Sequence, residues 1–268
     1  MTDASEKTWE VPAFDTPLWR GRTRDYCTVI PVIDEGERIR RLLERMQSLD
    51  TATYTDIIVV DGGSTDGSVD PAALEMLGVR AVLVKTGPGR LSAQLRCAYA
   101  FALRQGYAGI VTIDGNDKDD PRPIPDFVAA LRDGVAMVQG SRFLPGGAGE
   151  NTPWLRDFAI RNVHAPALRM ASGFAWTDTT QGFRGYSAAM LRDPRVAPFR
   201  TVFSEYELLA YLSYRVPRLG YRCLELPTRR VYPPRGPAPT KINANAWARL
   251  LSTLVHACTG KFDPPGAA

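Results

Sequence analysis

The strongest constraint on this chain is a repeated order: an aliphatic, β-branched run, a turn rich in Asp or Gly, then a stretch with helical period. Tyr26–Ile33 (Y-C-T-V-I-P-V-I), Asp56–Val60 (D-I-I-V-V), Arg80–Val84 and Ala108–Ile113 read as strands. Between them, Glu35–Leu49 places Ile39, Leu42, Leu43 and Met46 on one helical face. Lys85–Arg90 (K-T-G-P-G-R) is a Gly-rich connection into a helix over Leu91–Gln105, with Leu95, Ala98, Ala102 and Leu103 among its apolar positions. Strands alternating with helices predict an α/β fold, with a mainly parallel central sheet flanked by helices and joined by right-handed crossovers.

The order continues downstream. Ile124–Arg132 reads as a helix, Val135–Gln139 as a strand, Phe203–Tyr214 as a helix and Arg222–Leu226 as a strand. Leu144–Thr152 is Gly-rich and reads as a mobile loop, and a long helix is expected from Pro153 to about Ala171. Thr177–Gly185 (T-D-T-T-Q-G-F-R-G) reads as a polar insertion between apolar segments. Met1–Arg24 lacks a period and contains Pro12 and Pro17, so it reads as an extension with little regular structure, its Trp9, Phe14 and Trp19 available to pack on the domain. Pro233–Pro239 marks the end of the compact region. Ile242–Cys258 returns to helical period, and its stripe of Trp247, Leu250, Leu251, Leu254 and Val255 reads as packing rather than membrane contact. The expected organisation is an extension over 1–25, a single catalytic domain over 26–235 and a helical tail over 236–268.

Composition excludes several classes. With 44% hydrophobic and 23% charged residues the chain is an ordinary soluble globular type. A net charge of +4 suits anionic substrates and gives no sign of nucleic acid. Cys27, Cys97, Cys223 and Cys258 are far apart and lack metal-type spacing, as expected of reduced thiols in the cytoplasm. Met1–Glu10 is polar and acidic, unlike a signal peptide. No apolar run approaches the roughly 20 residues of a membrane helix, so the expectation is peripheral membrane contact at most.

The chemistry is concentrated at strand ends. Val111–Pro121 reads V-T-I-D-G-N-D-K-D-D-P: a buried strand broken by turn formers that carry carboxylates. Open α/β sheets bind ligands at the carboxyl ends of their strands. Asp and Asn oxygens are hard donors suited to Mg²⁺ or Mn²⁺, and such an ion helps a diphosphate depart. The plain alternative is an acidic turn capping the next helix. Asp61-Gly62-Gly63 and the pair Asp34 and Glu35 end two further strands on the same edge. Together these ends suit a nucleotide: carboxylates for base N–H groups or ribose hydroxyls, glycines for close backbone approach, and a metal-binding turn for the diphosphate. G-x-G-x-x-G and Walker A sequences are absent. His164 and His256 have no metal-ligand pattern.

The motifs P-V-I-D-E-G-E (Pro31–Glu37), V-V-D-G-G-S-T-D-G (Val59–Gly67), I-D-G-N (Ile113–Asn116), G-S-R (Gly140–Arg142), D-T-T-Q-G-F-R (Asp178–Arg184) and E-L-P (Glu225–Pro227) follow in that order. In order and spacing the chain resembles the inverting family 2 glycosyltransferases of the GT-A (Rossmann-like) fold. The nearest group is the dolichol-phosphate mannose synthase-like and related polyprenyl-phosphate sugar transferases. Thr240-Lys241-Ile242 is similar to the S-K-[LI] that closes that family's catalytic region.

The resemblance implies a nucleotide-sugar donor (UDP- or GDP-sugar), Mg²⁺ or Mn²⁺, and a lipid-phosphate or small-molecule acceptor. It implies that Pro31, Asp34, Glu35, Asp61 and Gly63 lie at the nucleotide. Asp114 and Asn116 match the D-x-D pair that holds metal and diphosphate. Arg142 matches an arginine that contacts phosphate, and Asp178 and Arg184 flank the acceptor, with Asp178 the general base if the acceptor is a hydroxyl. Asn116 departs from the family's second Asp, leaving Asp117, Asp119 or Asp120 to supply charge, and Gln181 replaces a common Ser. Taken alone, Asp61 also reads as the end of a strand in an Asx-turn, and Arg142 and Arg184 as ion pairs. Other readings are a soluble glycosyltransferase acting on a hydroxyl of a secondary metabolite or polysaccharide precursor, a nucleotidyltransferase and a non-catalytic sugar-nucleotide-binding module. The nucleotidyltransferase lacks its Gly-rich basic signature, since I-D-E-G-E stands there. The binding module should lack the acceptor-side groups Asp178, Arg142 and Arg184.

Overall fold

In the computed structural model, which describes residues 4–233 and 244–266, the central runs read as strands are buried on both faces, while Arg222–Leu226 is half-buried to exposed. Strands β2 (Tyr26–Val32) and β3 (Asp56–Asp61) are buried at every position, as in a sheet covered on both sides. Between the edge strands β1 (Phe14–Trp19) and β9 (Cys223–Pro227) lie also β4 (Val79–Lys85), β5 (Gly109–Thr112), β6 (Met137–Ser141) and β8 (Arg184–Ser187). Among the described residues the main sheet has the order β1-β4-β3-β2-β5-β8-β6-β9. Pairings β4-β3, β3-β2, β2-β5 and β6-β9 are parallel, as expected; β1 and β8 run antiparallel to their neighbours.

Alternation along the strands divides the core. Cys27, Val29, Ile58 and Val60 face α3 (Leu91–Arg104) and α8 (Glu207–Arg218). Ile30, Val32, Ile57 and Val59 face α1 (Glu37–Ser48) and α4 (Ile124–Arg132). The α1 stripe Ile39, Leu42, Leu43 and Met46 is buried as its period requires. Helices α2 (Pro71–Met76) and α7 (Ala188–Arg192) complete these layers. Pro31 stands inside a central strand, where a proline normally removes a ladder bond. Its carbonyl accepts from Gly115 on the β5 side, so its nitrogen faces that side too, beyond the last β5 residue, Thr112.

Four expectations need correction. The segment 1–25 is not without regular structure: it holds a 3₁₀ turn, Ala4–Thr8, and β1, whose pairing with β4 extends the sheet. Its aromatics do pack on the domain, Trp9 stacking on Phe199 at 4.1 Å and Trp19 meeting Phe101 edge-on at 5.1 Å. Leu144–Thr152 is not a simple loop, because β7 (Ala148–Glu150) pairs in parallel with β10 (Arg229–Val231). The helix over Phe203–Tyr214 starts later, at Glu207, with Phe203 buried before it. Thr177–Gly185, read as a polar insertion, is not only an insertion between elements: it is largely buried, and its end becomes the sheet strand β8.

The expected long helix runs as α5 (Trp154–Ala159), a π-turn (Ile160–His164) and α6 (Ala165–Ser172). In α9 (Ala244–Cys258) the stripe is split: Leu254 is buried, while Leu251 and Val255 face outward. The side chain of Trp247, Pro234–Pro239 and the Thr240–Ile242 motif lie outside the described residues.

The π-turn brings His164 to Thr179, its Nδ1 2.6 Å from the threonine Oγ1. Burial, and then the Arg184 charge, push the imidazole down to about 4, against the pull of Asp178. It is neutral when folded and takes up a proton on unfolding between about pH 6.5 and 4, so the unfolded state binds more protons there. Stability is therefore expected to fall as pH drops through that window, by about 1–3 kcal/mol from this residue. Urea unfolding at pH 7, 5.5 and 4 should show a flatter profile for His164→Gln. Parallel profiles would rule out His164 as the cause.

Candidate active site

The parallel order brings the ends of β2, β3 and β5 to one edge, as the sequence requires. Backbone bonds lace them together: Gly62 donates to the Val32 carbonyl at 2.8 Å, and Gly115 to that of Pro31 at 3.4 Å. A Cβ at Gly115 would lie 3.0 Å from the Pro31 carbonyl oxygen and 2.9 Å from Val32, so this turn needs glycine. From α3, Gln94 donates to the carbonyls of Val32 and Val60 at 2.8 and 2.7 Å, buttressing both strand ends. The sequence reading missed this residue, which lies inside an apolar helix.

The nucleotide-side candidates gather here. Pro31 is buried. Asp34, exposed with φ +49°, accepts from the Thr65 amide at 2.8 Å, and its own amide donates to Ser64 Oγ at 2.9 Å. Glu35 pairs with Arg38 at 2.7 Å. Gly63 has φ +101°, a conformation that favours glycine, just beyond Asp61. The Asp61 carboxylate is buried and accepts from the Ser64 amide at 3.0 Å and hydroxyl at 2.6 Å. That is the local strand-end turn the residues alone suggested, and a base N–H would compete with Ser64 for the same oxygens.

The acidic stretch after β5 is sorted by its neighbours. Asp114 is partly exposed, with Oδ2 3.1 Å from Arg230 Nη1. Arg230 also pairs with Asp119, which is fully buried and accepts from Gln181 at 2.7 Å. Asp117, with φ +56°, turns to Arg45 and Arg41 of α1, at 2.8 and 3.2 Å. Asp120 pairs with Arg122. All three carboxylates considered as replacements for the missing Asp are therefore engaged elsewhere.

Asn116 remains beside Asp114, its Oδ1 accepting from the Lys118 amide at 3.2 Å. Among the described residues no three His, Cys, Asp or Glu side chains gather as a metal-ligand set. One carboxylate and one amide oxygen on a partly open turn fit an ion that takes its other oxygens from a bound diphosphate, as Mg²⁺ commonly does.

Gly182 closes over this turn. A Cβ there would sit 2.2 Å from Asp114 Oδ1. Gly182→Ala is expected to displace the Asp114 carboxylate while the fold holds, weakening nucleotide binding in the presence of Mn²⁺ by at least about tenfold. Calorimetric titration alongside a thermal melt checks this; unchanged affinity would mean that the Asp114 position is immaterial to binding.

The acceptor-side candidates Arg142, Asp178 and Arg184 are all buried. Arg142 and Asp178 are both buried and form a bidentate pair, Nε to Oδ2 at 2.7 Å and Nη2 to Oδ1 at 3.0 Å. Burial works against both charges, and the pairing outweighs it, holding the Asp178 carboxyl below and the Arg142 guanidinium above their ordinary ranges. Glu225 of the E-L-P motif fixes this loop by accepting from the amides of Thr177 and Asp178 at 2.9 and 3.0 Å. Arg184 does not face an open site. It is fully buried, and its donors go to the carbonyls of Gln181, Leu209 and Thr179 and to Ser213 Oγ, at 2.7–3.1 Å.

A cation cluster that the sequence reading missed stands between the two groups. Around the buried Tyr232 ring lie Lys118 Nζ at 5.1 Å, Arg230 at 5.6 Å and Arg156 at 5.9 Å. Arg142 Nη1, Arg230 Nε and the Tyr232 hydroxyl are buried without a hydrogen-bond partner among the described residues. Such groups are costly to leave unmade. Burial and the neighbouring arginines pull Lys118 and Arg156 down. Burial raises the Tyr232 phenol, but Arg230, Arg156 and Arg142 outweigh it and bring it below its ordinary value. The arrangement suits an anion with several oxygens. The available signal was R-R-V-Y at Arg229–Tyr232, directly after E-L-P-T.

The glycosyl transferase family 2 profile matches residues 27–194. The chain is 30% identical over 203 residues to the undecaprenyl-phosphate mannosyltransferase of Micrococcus luteus, covering 75% of this chain and 81% of that one. It is 26% identical over 221 residues to the polyprenol monophosphomannose synthase of Mycolicibacterium smegmatis, covering 81% and 82%. Among solved structures, the glucosyl-3-phosphoglycerate synthase of Mycobacterium tuberculosis, in complex with Mn²⁺, UDP and glucosyl-3-phosphoglycerate, superposes with a TM-score of 0.58 at 18% identity, covering 91% of this chain and 82% of that one.

Proposed function

The chain belongs to glycosyl transferase family 2 and is a glycosyltransferase of GT-A fold, and on that premise we propose that it moves a sugar, with inversion, from a nucleotide-diphosphate donor to a polyprenyl-phosphate type of acceptor with the help of a divalent cation. The observation that carries this reading is the cluster of Arg142, Arg230, Arg156 and Lys118 around Tyr232, with donor groups unspent, directly beside Asp114. Two anions meet in such a reaction, the donor diphosphate and the acceptor phosphate. The relatives named as undecaprenyl-phosphate and polyprenol enzymes favour the phosphate acceptor, and the neighbour crystallised with Mn²⁺ and UDP favours a metal and a uridine or similar nucleotide.

The chemistry follows from which groups are charged. An acceptor phosphate oxygen attacks the anomeric carbon from the face opposite the diphosphate. The new C–O bond forms as the old one breaks, and the electron pair leaves on the diphosphate. A phosphate is already an anion, so no base need remove a proton. That agrees with Asp178, whose carboxylate is buried, ion-paired and held ionised at low pH, a poor base at neutral pH. Arg142 Nη1, Arg156 and Lys118 would hold the acceptor phosphate. Arg230 would stand between it and the leaving group. Mg²⁺ or Mn²⁺, when bound, supplies charge for the departing diphosphate, with Asp114 and Asn116 as its ligands on this chain. Asp34, Asp61 and Gly63 would face the nucleoside.

Competition by nucleotides tests the donor side. UDP or GDP is expected to bind in the presence of Mn²⁺ with micromolar to millimolar affinity. Failure of both to bind at millimolar concentration would remove the nucleotide-sugar reading.

A further inference from the structure

The acidic turn after β5 holds one carboxylate that has no part in either substrate site. Asp119 is fully buried and faces Arg230 across an antiparallel bridge between the turn and β10. The bridge is closed on both sides: the Asp120 amide donates to the Arg229 carbonyl at 3.0 Å, and the Val231 amide to that of Lys118 at 2.8 Å. Arg230 Nη1 donates to Asp119 Oδ2 and, at 3.1 Å, to Asp114 Oδ2. One guanidinium nitrogen is thus divided between an anchor in the core and the carboxylate at the end of β5.

Asp119 does not hold its place alone. Its Oδ1 accepts from Gln181 Nε2 at 2.7 Å, and Gln181 Oε1 accepts from the Thr228 hydroxyl at 2.9 Å. A carboxylate only accepts, so the amide turns its NH₂ to Asp119 and its oxygen to Thr228. The Gln181 main chain is fixed in turn, its carbonyl accepting from Arg184 Nε at 3.0 Å and Gln139 Nε2 at 3.2 Å. All of these side chains are buried. The glutamine found where a serine is common therefore occupies one oxygen of Asp119 and leaves the other for Arg230.

We infer that Asp119 and Gln181 are positioning residues: they set how far Arg230 is committed to Asp114, and so tune the affinity of that carboxylate for a divalent cation. The inference rests on the reading of Asp114 as a metal ligand. A cation arriving at Asp114 competes with Arg230 for the same oxygen, and Arg230 yields because Asp119 keeps its charge paired. The two positioning residues act in opposite directions. Without the Gln181 amide, Asp119 Oδ1 is a buried acceptor that has lost its donor. The carboxylate then turns to take the guanidinium with both oxygens, since Arg230 Nε is unspent among the described residues, and Asp114 is released. With a neutral amide in place of the Asp119 carboxylate, Asp114 is left as the carboxylate partner of Arg230 and is held more tightly.

Calorimetric titration of the full chain with UDP and GDP, each with and without Mn²⁺, reads the metal's share as the ratio of the two affinities. In Gln181→Met that ratio is expected to rise by at least about threefold, and in Asp119→Asn to fall by at least about tenfold. Thr228→Val, which takes the hydroxyl from Gln181 Oε1, should raise the ratio as Gln181→Met does, and serves as the second variant if Asp119→Asn does not fold. Loosened packing alone would lower the ratio in every variant, in step with the melting temperature. A ratio that moves the same way in Gln181→Met and Asp119→Asn, or that fails to rise in Gln181→Met, overturns the inference, while a gain from Mn²⁺ in the wild type leaves the metal reading standing. A wild type that gains nothing from Mn²⁺ removes the metal reading, and the inference with it.

Discussion

Asp114→Ala is expected to lower kcat/KM by at least about 10²–10³-fold and to abolish any gain in nucleotide affinity from Mn²⁺, with the fold retained. The size follows from its place. Asp114 is the partly open carboxylate at the end of β5, and the other acids of its turn are tied to arginines or buried. Asn116 can offer an oxygen but no charge. The fold should survive because Arg230 keeps its second partner, Asp119, when Asp114 is removed. Transfer assays and calorimetry of UDP and GDP, each with and without Mn²⁺, read both effects. Metal-dependent binding that persists in the variant would move the metal away from this turn.

Asp178→Ala should act on stability first. Its removal strands Arg142 in the interior with Thr180 Oγ1, at 3.1 Å, as a remaining side-chain partner. Breaking a buried ion pair from one side costs about 3–5 kcal/mol. For a domain of this size that is a fall in Tm of roughly 6–20 °C. Activity should fall too, because Arg142 loses the support that orients it toward the proposed phosphate. The pH dependence separates this from base catalysis. The Asp178 carboxyl is held below the usual carboxylate range, so its stabilising contribution is present above that range and is lost as pH falls through its folded value. It should leave no ascending limb in kcat between pH 5 and 8. A variant with the wild-type Tm, a loss of about 10²–10⁴ in kcat and an altered pH profile would identify Asp178 as a general base acting on a hydroxyl acceptor.

The sequence was most legible where burial and period agree. β2, β3, α1 and α3 were found because fully covered strands are aliphatic throughout and their helices carry an apolar face. The shared edge of Asp34, Asp61 and Asp114 followed from the parallel order alone. Elements whose partners lie far away in sequence were not legible. β1 carries Pro17 and an irregular register against β4, and it has no alternation to reveal it. β8 hides in a polar segment because its arginine spends its donors on the Leu209 carbonyl, 25 residues away, as well as on nearby ones. The roles of Asp178 and Arg184 were inferred from a motif, but their burial depends on packing against α8 and Glu225, which no local pattern encodes. The Tyr232 cluster draws Lys118, Arg156 and Arg230 from three separate segments, so only the folded chain brings its charge together.

The most direct test of the account is the product formed from matched acceptors. Purified protein with Mn²⁺ and a panel of UDP- and GDP-sugars is offered one short prenyl chain either as its monophosphate or as its alcohol. Products are then read by mass spectrometry and by the anomeric proton coupling in NMR. The account predicts a glycosyl phosphoprenol from the monophosphate, with the anomeric configuration opposite to the donor's, and no transfer to the alcohol. Transfer to the alcohol but not to the monophosphate, or a product that retains the donor's configuration, would contradict it.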